Sequence, residues 1–308
     1  MTIVDFGATS IQPIVELERW PFPLHGLFPT APARLVAEHR HWLGDRLVDP
    51  ATDDLILGVH SFVLRTRNRV ILVDGCNGNH TERPELPPHH RLDTPYLARL
   101  AQAGLRPEDV DVVLCTHLRP DHVGWNTRLK DGRWIPTFPN ATYLMTAAAF
   151  EDARALHASQ PAAPVPAGRA AAFEDSVLPV VASGQALLVP DDHAVVGEPG
   201  DGVWLEAAPG HAAGQVMVHV REGVREGTAP GCRHAILCGD VIHHPIQLAE
   251  IDLPMAGDAD AAAAAATRRR LVERCVDRNI LVLPTHFPAP SAVRLVSQGT
   301  GVRVAWNE

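Results

Sequence analysis

Four times along this chain an apolar, strand-forming run stops at a short loop carrying histidine, aspartate or both. The loops are Thr116-His117-Leu118-Arg119-Pro120-Asp121-His122, Pro209-Gly210-His211, Gly239-Asp240 and Pro284-Thr285-His286-Phe287. Loops at strand ends are where a rigid scaffold presents working side chains. Imidazole and carboxylate together form the donor set of zinc and similar first-row metals. One such cluster, His117 with Asp121 and His122, can also be read as a polar turn with capping roles. Recurrence of the pattern at the other strand ends weighs against that reading.

The runs between these loops predict a layered α/β structure with sheets face to face and helices outside. DLILGVHSFVLRT and RVILVDGC, joined by a short polar stretch, read as a hairpin. LDTPYLARLAQAGL reads as a helix capped by Asp93 or Thr94, with Pro95 in its first turn and Gly104 at its end. DVDVVLCT, ATYLMT, ALLVP, HAVVG, VWLEAA, QVMVHVRE, HAILCGD and ILVLPTHF read as strands, and TAAAFEDARALH as a helix. A Pro/Ala-rich loop is expected over 158–168, a helix near 169–182 and a Gly-rich loop over 222–232. DADAAAAAATRRRLVERCVDRN has an acidic start, an alanine interior and a basic end, the pattern of a helix. Residues 1–50 mix prolines with Trp20, Phe22, Phe28 and Trp42 and are expected to cap a single domain over 51–308. Those aromatic residues are expected in core or dimer packing, or as an apolar wall over a cleft.

At this point the motifs resemble those of a family. THLRPDHVGWN is similar to the HxHxDH signature of the metallo-β-lactamase superfamily. LVDGC, APGHAAGQ, LCGD and PTHFP match its other motifs in order, over most of residues 54–290. HVGWNT and GDVIHHPIQ resemble the lactonase and organophosphate-hydrolase-like branch. The resemblance implies an αββα sandwich with a metal site at one edge of its two sheets. It implies His117 and His211 at a first metal, Asp121, His122 and His286 at a second, and Asp240 between them, with Asp74 supporting the site. It implies a metal-bound hydroxide acting on a small electrophile: an ester, lactone, phosphotriester or activated halogenated compound. Asp240 would then orient the attacking group and carry a proton. Lactonases of this branch often use a tyrosine near the metal, and only Tyr96 and Tyr143 are present here.

The motif departs from the family at its middle histidine, which is Arg119. Guanidinium stays protonated and offers no lone pair to an ion. One zinc per chain is therefore expected, in the Asp121/His122/Asp240/His286 set, with two as the alternative. Arg119 itself has three readings: a neutral replacement, a binder of an anionic substrate group or developing negative charge, or the mark of a degenerate centre. In the last case the chain would be a non-catalytic protein binding a small anion or a protein partner. Iron redox chemistry is a further reading. His243 and His244, next after the Gly-Asp strand end, are expected to line the pocket or to replace the lost ligand. Trp125 either packs under the metal loop or touches substrate; Cys238 is expected to be buried and His219 packed or hydrogen-bonded.

Composition closes off other classes. The formal net charge of −9 is unsuited to a nucleic-acid surface. Five cysteines without CxxC spacing fit a reducing cytosol better than a disulfide framework. MTIVDFGATS lacks the regions of a signal peptide, and no apolar run approaches membrane-spanning length. No GxSxG, GxxxxGK[ST] or GxGxxG motif is present. The expectation is a cytoplasmic hydrolase with a small-molecule substrate, no nucleic-acid or membrane partner, and a homodimer as the assembly common in the family.

Overall fold

Each apolar run named above forms a strand. A computed structural model describes residues 3–5, 9–84, 87–160, 162–198, 201–221, 234–299 and 301–307. The Gly-rich loop 222–232, with Cys232, lies outside them. The chain divides into two units, one of Ile3–Glu16 with His60–Pro190, the other of Leu17–Val59 with Asp191–Glu308. They are called here the 60–190 and the 191–308 units.

The first sheet runs in the order β1 (Val4–Asp5), β2 (Ser10–Phe22), β3 (Leu55–Arg65), β4 (Val70–Val73), β5 (Val112–Leu114), β8 (Thr142–Thr146) and β9 (Ala186–Val189). Between β5 and β8 in the chain, β6 (Thr127–Lys130) and β7 (Arg133–Pro136) form a separate antiparallel pair. The expected hairpin is the antiparallel β3–β4 pair, and β4, β5, β8 and β9 then pair in parallel. Parallel neighbours need a crossover. Between β4 and β5 it contains the helix Tyr96–Gln102, which starts after Pro95 rather than at a capping Asp93 or Thr94. Thr94 is held instead by Asn79, whose Oδ1 accepts its N–H at 2.8 Å.

The helix Ala147–Ala158 is capped by Thr146, whose hydroxyl accepts from the Ala149 N–H. The loop expected over 158–168 is shorter: a helix starts at Pro164, where a proline costs no hydrogen bond, and runs to Ser176. The single helix expected near 169–182 breaks at Val177, and a second helix, Leu178–Ala182, begins with Pro179 in its first turn.

The second sheet keeps chain order: β10 (Ala194–Glu198), β11 (Asp201–Ala207), β12 (Val216–Arg221), β13 (His234–Gly239), β14 (Ile280–Pro284), β15 (Val293–Gln298) and β16 (Gly301–Trp306). Its pairs are antiparallel except β13–β14. That parallel step is bridged by the helix Ala261–Cys275, with Asp260 as cap accepting from the Ala263 N–H at 3.0 Å. Ile236, Cys238, Leu271, Val272, Cys275, Val282 and Leu295 form the core beneath it. Within the 191–308 unit, Leu27, Phe28, Leu35, Leu43 and Leu47 form a second core with Leu55, Leu57, Ile246 and Leu253. Trp20, Phe22 and Trp42 are packed against that core. The N-terminal aromatic residues are therefore core material.

This topology positions the chemistry. Parallel strands end on one edge of their sheet, so Asp74 after β4 and Thr116-His117 after β5 emerge together. Asp240 after β13 and His286 after β14 do the same in the other unit. No helix among the described residues is long and apolar enough to cross a membrane.

Candidate metal centre

In the 60–190 unit, Asp74 organises the motif loop. Its carboxylate accepts the Thr116 N–H at 2.8 Å, the Thr116 hydroxyl at 2.8 Å and the His122 Nδ1–H at 2.9 Å. The Thr116 proton is committed to Asp74, so the 3.1 Å contact between Thr116 Oγ1 and His117 Nδ1 is donated by the imidazole. Both rings consequently carry their proton on Nδ1 and present Nε2 as the lone-pair nitrogen. Their centroids are 4.0 Å apart, and Asp121 Oδ1 lies 3.9 Å from His122 Nε2. Arg119 is buried at the head of the short turn Pro120–Val123, in extended backbone.

The motif loop is laced to the LVDGC loop by backbone. Gly75 N–H donates to the His122 carbonyl, Trp125 N–H to Gly75 and Gly124 N–H to Cys76. A Cβ at Gly124 would sit 1.8 Å from the Asn77 carbonyl oxygen, so only glycine permits this approach. Glu16, from β2, is fully buried beneath. It accepts the Trp125 indole N–H at 2.6 Å, the Asn77 backbone and side-chain N–H at 2.8 Å each, and the Gly78 N–H at 3.1 Å. Burial pushes its carboxyl up to about 6 against the pull of those donors. Trp125 stacks on Tyr96 at 5.0 Å, so it packs under the loop. The Tyr96 hydroxyl donates to Ser61 and the Tyr143 hydroxyl to the Asn126 carbonyl, so both phenols serve the scaffold.

In the 191–308 unit Asp240 is the hub. Its Oδ2 lies 3.3 Å from His211 Nε2 and 3.2 Å from His243 Nε2, and its Oδ1 lies 3.3 Å from His286 Nε2. His211 Nδ1–H donates to Asp258 at 2.9 Å, and His286 Nδ1–H to the Gly58 carbonyl at 3.1 Å. Burial pushes Asp258 up, but the His211 hydrogen bond, the nearby His243 and the Met255 N–H outweigh it and hold the carboxyl below its ordinary value. The His211 loop is seated on the long helix: Gly210, at φ +128°, leaves no room for a Cβ against Ala264. Burial pushes His243 down to about 4, with Asp240 opposing.

The expected residues thus assemble within their units: Asp74, His117, Arg119, Asp121 and His122 in one, His211, Asp240 and His286 in the other. Glu16 and Asp258 were missed. Each had a signal: Glu16 interrupts the apolar run IVEL, and Asp258 sits in the acidic stretch before the long helix. His219 is hydrogen-bonded as expected, to His234 at 2.9 Å, and Cys238 is buried.

The donor chemistry fits a divalent ion. In His117, His122, His211 and His286 alike an outer oxygen holds Nδ1–H and aims Nε2, the arrangement that orients and strengthens metal-ligating histidines.

Comparison with known proteins agrees. Solved structures resemble the chain over nearly its whole length. The dizinc quorum-quenching lactonase AidC is 16% identical, with 100% of this chain and 97% of that one covered at a TM-score of 0.74. The hydrolase AbOPH of the β-lactamase superfamily is 19% identical, covering 99% and 98% at 0.76. A probable metal-dependent hydrolase from Staphylococcus aureus is 16% identical, covering 99% of each chain at 0.70. At such identities the likeness establishes the α/β fold of that family. No curated protein matches the chain. The sequence pattern of the metallo-beta-lactamase superfamily matches residues 56–225, more than half of its length. The chain belongs to the metallo-β-lactamase superfamily.

Proposed function

We propose that the chain is a metal-dependent hydrolase acting on a small electrophilic substrate. The observation that carries this reading is the shared orientation of four imidazoles, each held at Nδ1 so that Nε2 is offered as a donor. In this reading the ligands are those the family resemblance implies, His117, Asp121 and His122 from the 60–190 unit and His211, Asp240 and His286 from the 191–308 unit, with Arg119 in place of the family's middle histidine.

A bound divalent ion such as zinc would supply positive charge and bring the pKa of a coordinated water down to about 7. The chain's own residues do the rest. Asp240 holds or passes a proton at its carboxylate, while Asp121 offers a second carboxylate beside His122. Arg119 presents a guanidinium fork to an anionic group or to negative charge developing on the substrate. Similarity to a lactonase and to other hydrolases supports the class but not a substrate, because one fold hosts many chemistries. With both phenols spent on the scaffold, esters, phosphotriesters and activated halogenated compounds are favoured over lactones. Cys76, Cys115, Cys238 and Cys275 are all unbridged and buried, in keeping with work in a reducing cytosol.

The test is elemental mass spectrometry of protein purified without added metal, followed by hydrolysis assays on these substrate classes. The reading requires at least one zinc or similar ion per chain, and hydrolysis abolished by chelation and restored by the ion. A chain that takes up no ion even when zinc is offered overturns it.

A further inference from the structure

This inference rests on the metal-dependent reading. Arg119 stands where the family places an imidazole. Two histidines follow Asp240 closely, and the structure separates their roles. His244 has both ring nitrogens engaged: Nε2–H donates to the Leu47 carbonyl at 2.9 Å and Nδ1 accepts the Ile246 N–H at 3.1 Å. It ties the loop to the N-terminal core and has no nitrogen left for an ion. His243 is the opposite. It is 1% exposed, its Nδ1 makes no hydrogen bond to the described residues, and its Nε2 meets Asp240 Oδ2 at 3.2 Å, longer than a charge-assisted hydrogen bond. A buried ring in that condition is costly unless something other than a hydrogen bond occupies it.

The distances say what that is. Two ligands on a tetrahedral zinc, each about 2.0–2.1 Å from the ion, lie about 3.3 Å from one another. Charge-assisted N–H···O bonds are shorter, about 2.7–2.9 Å. Asp240 Oδ2 lies 3.3 Å from His211 Nε2 and 3.2 Å from His243 Nε2. Asp240 Oδ1 lies 3.3 Å from His286 Nε2. These separations match those between neighbouring ligands of one ion, with Oδ2 turned to His211 and His243 and Oδ1 to His286. The His211 and His243 rings are tilted by 56° with centroids 4.7 Å apart, so they meet at an angle instead of stacking. All four residues belong to the 191–308 unit, independent of the loop that carries Arg119.

We propose that His243 Nε2 is a metal ligand: with His211 Nε2 and Asp240 Oδ2 it forms a three-donor site within the 191–308 unit, and the chain holds two divalent ions. His243 Nδ1 lacks the outer oxygen that fixes the other four rings, so this ion is the more weakly held of the two.

The test uses the full-length protein, stripped with a chelator and titrated with cobalt(II), read by visible absorbance and by metal content after dialysis. Wild type is expected to bind one tight and one weaker equivalent. His243→Ala loses the weaker equivalent and its absorbance; His243→Gln, which keeps the volume of the ring, does the same should the alanine variant fold poorly. If both His243 variants titrate like wild type, with two equivalents or with one, the inference is overturned while the metal-dependent reading stands. If wild type binds no ion at all, that underlying reading falls too.

Discussion

His122 and Asp74, 48 residues apart, are joined by a 2.9 Å hydrogen bond from Nδ1 to Oδ2. That bond decides which imidazole nitrogen faces the candidate metal, because the proton on Nδ1 leaves the lone pair on Nε2. Asp74 is itself fixed by Thr116, and its backbone, at φ +61°, turns the carboxylate back toward the motif loop. A side chain outside the proposed ligand set therefore sets the protonation of one inside it.

Asp74→Asn tests that relation. The amide oxygen can still serve Thr116, but the NH₂ group would face His122 Nδ1 and drive its proton to Nε2, where it blocks coordination. The expected result is a 10–100-fold loss of zinc affinity, measured by competition with a chromophoric chelator. Asp74→Ala is expected to lose affinity as well. It should also cost the apo protein about 3 kcal/mol in urea unfolding, since several buried donors lose their acceptor. Wild-type affinity in Asp74→Asn would show that the hydrogen bond does not control the ring.

Asp121→Ala and His286→Ala each remove a proposed metal donor. Each variant should release an ion during dialysis and contain at least one fewer equivalent per chain than wild type. Circular dichroism should remain native-like, because neither side chain belongs to a hydrophobic core. Unchanged metal content in both variants would remove these residues from the ligand set.

Much of this site was readable because its chemistry is local in sequence. His117, Asp121 and His122 share one loop, and strand runs ending at Asp240 and His286 are visible as apolar stretches with abrupt polar ends. The helix Ala261–Cys275 was legible for the same reason, with Asp260 at its start and an alanine interior. What escaped depends on distant partners. Glu16 contacts Trp125 across 109 residues and Asp258 holds His211 across 47, and nothing in local spacing announces such pairs. The late strands β15 and β16 and the long β2 were missed, although Val302, Val304 and Trp306 alternate with Arg303 and Ala305 along β16; β2 is interrupted by Pro13 and by Glu16, Glu18 and Arg19. The distinction between His243 and His244, adjacent and identical, lies wholly in what each ring meets.

Glu16 yields a pH prediction. Its folded pKa of about 6 lies above the ordinary 4.5, chiefly through burial, so between these values the folded chain binds more protons than the unfolded one. A group of this kind contributes stability that is fully present below pH 4.5 and is lost as pH rises through 6. Glu16→Gln does not titrate. The stability advantage of wild type over Glu16→Gln should therefore shrink by up to about 2 kcal/mol between pH 4.5 and 7.5. Urea unfolding of both chelated proteins at the two pH values measures the difference. A gap that is constant, or that widens with pH, would mean the donors around the carboxylate outweigh its burial.

His244→Ala separates structure from coordination. The ring bridges the Leu47 carbonyl and the Ile246 N–H, two buried backbone groups that no water replaces in a packed interior. Its removal leaves both unsatisfied and opens a cavity beside Leu47 and Ile246, which belong to the N-terminal core. The cost should be about 2–4 kcal/mol, seen as an earlier urea midpoint with an unchanged slope. Metal content should stay at the wild-type value, because neither nitrogen of this ring is available to an ion. A variant that keeps its stability but loses metal would reverse the roles assigned to the two neighbouring histidines.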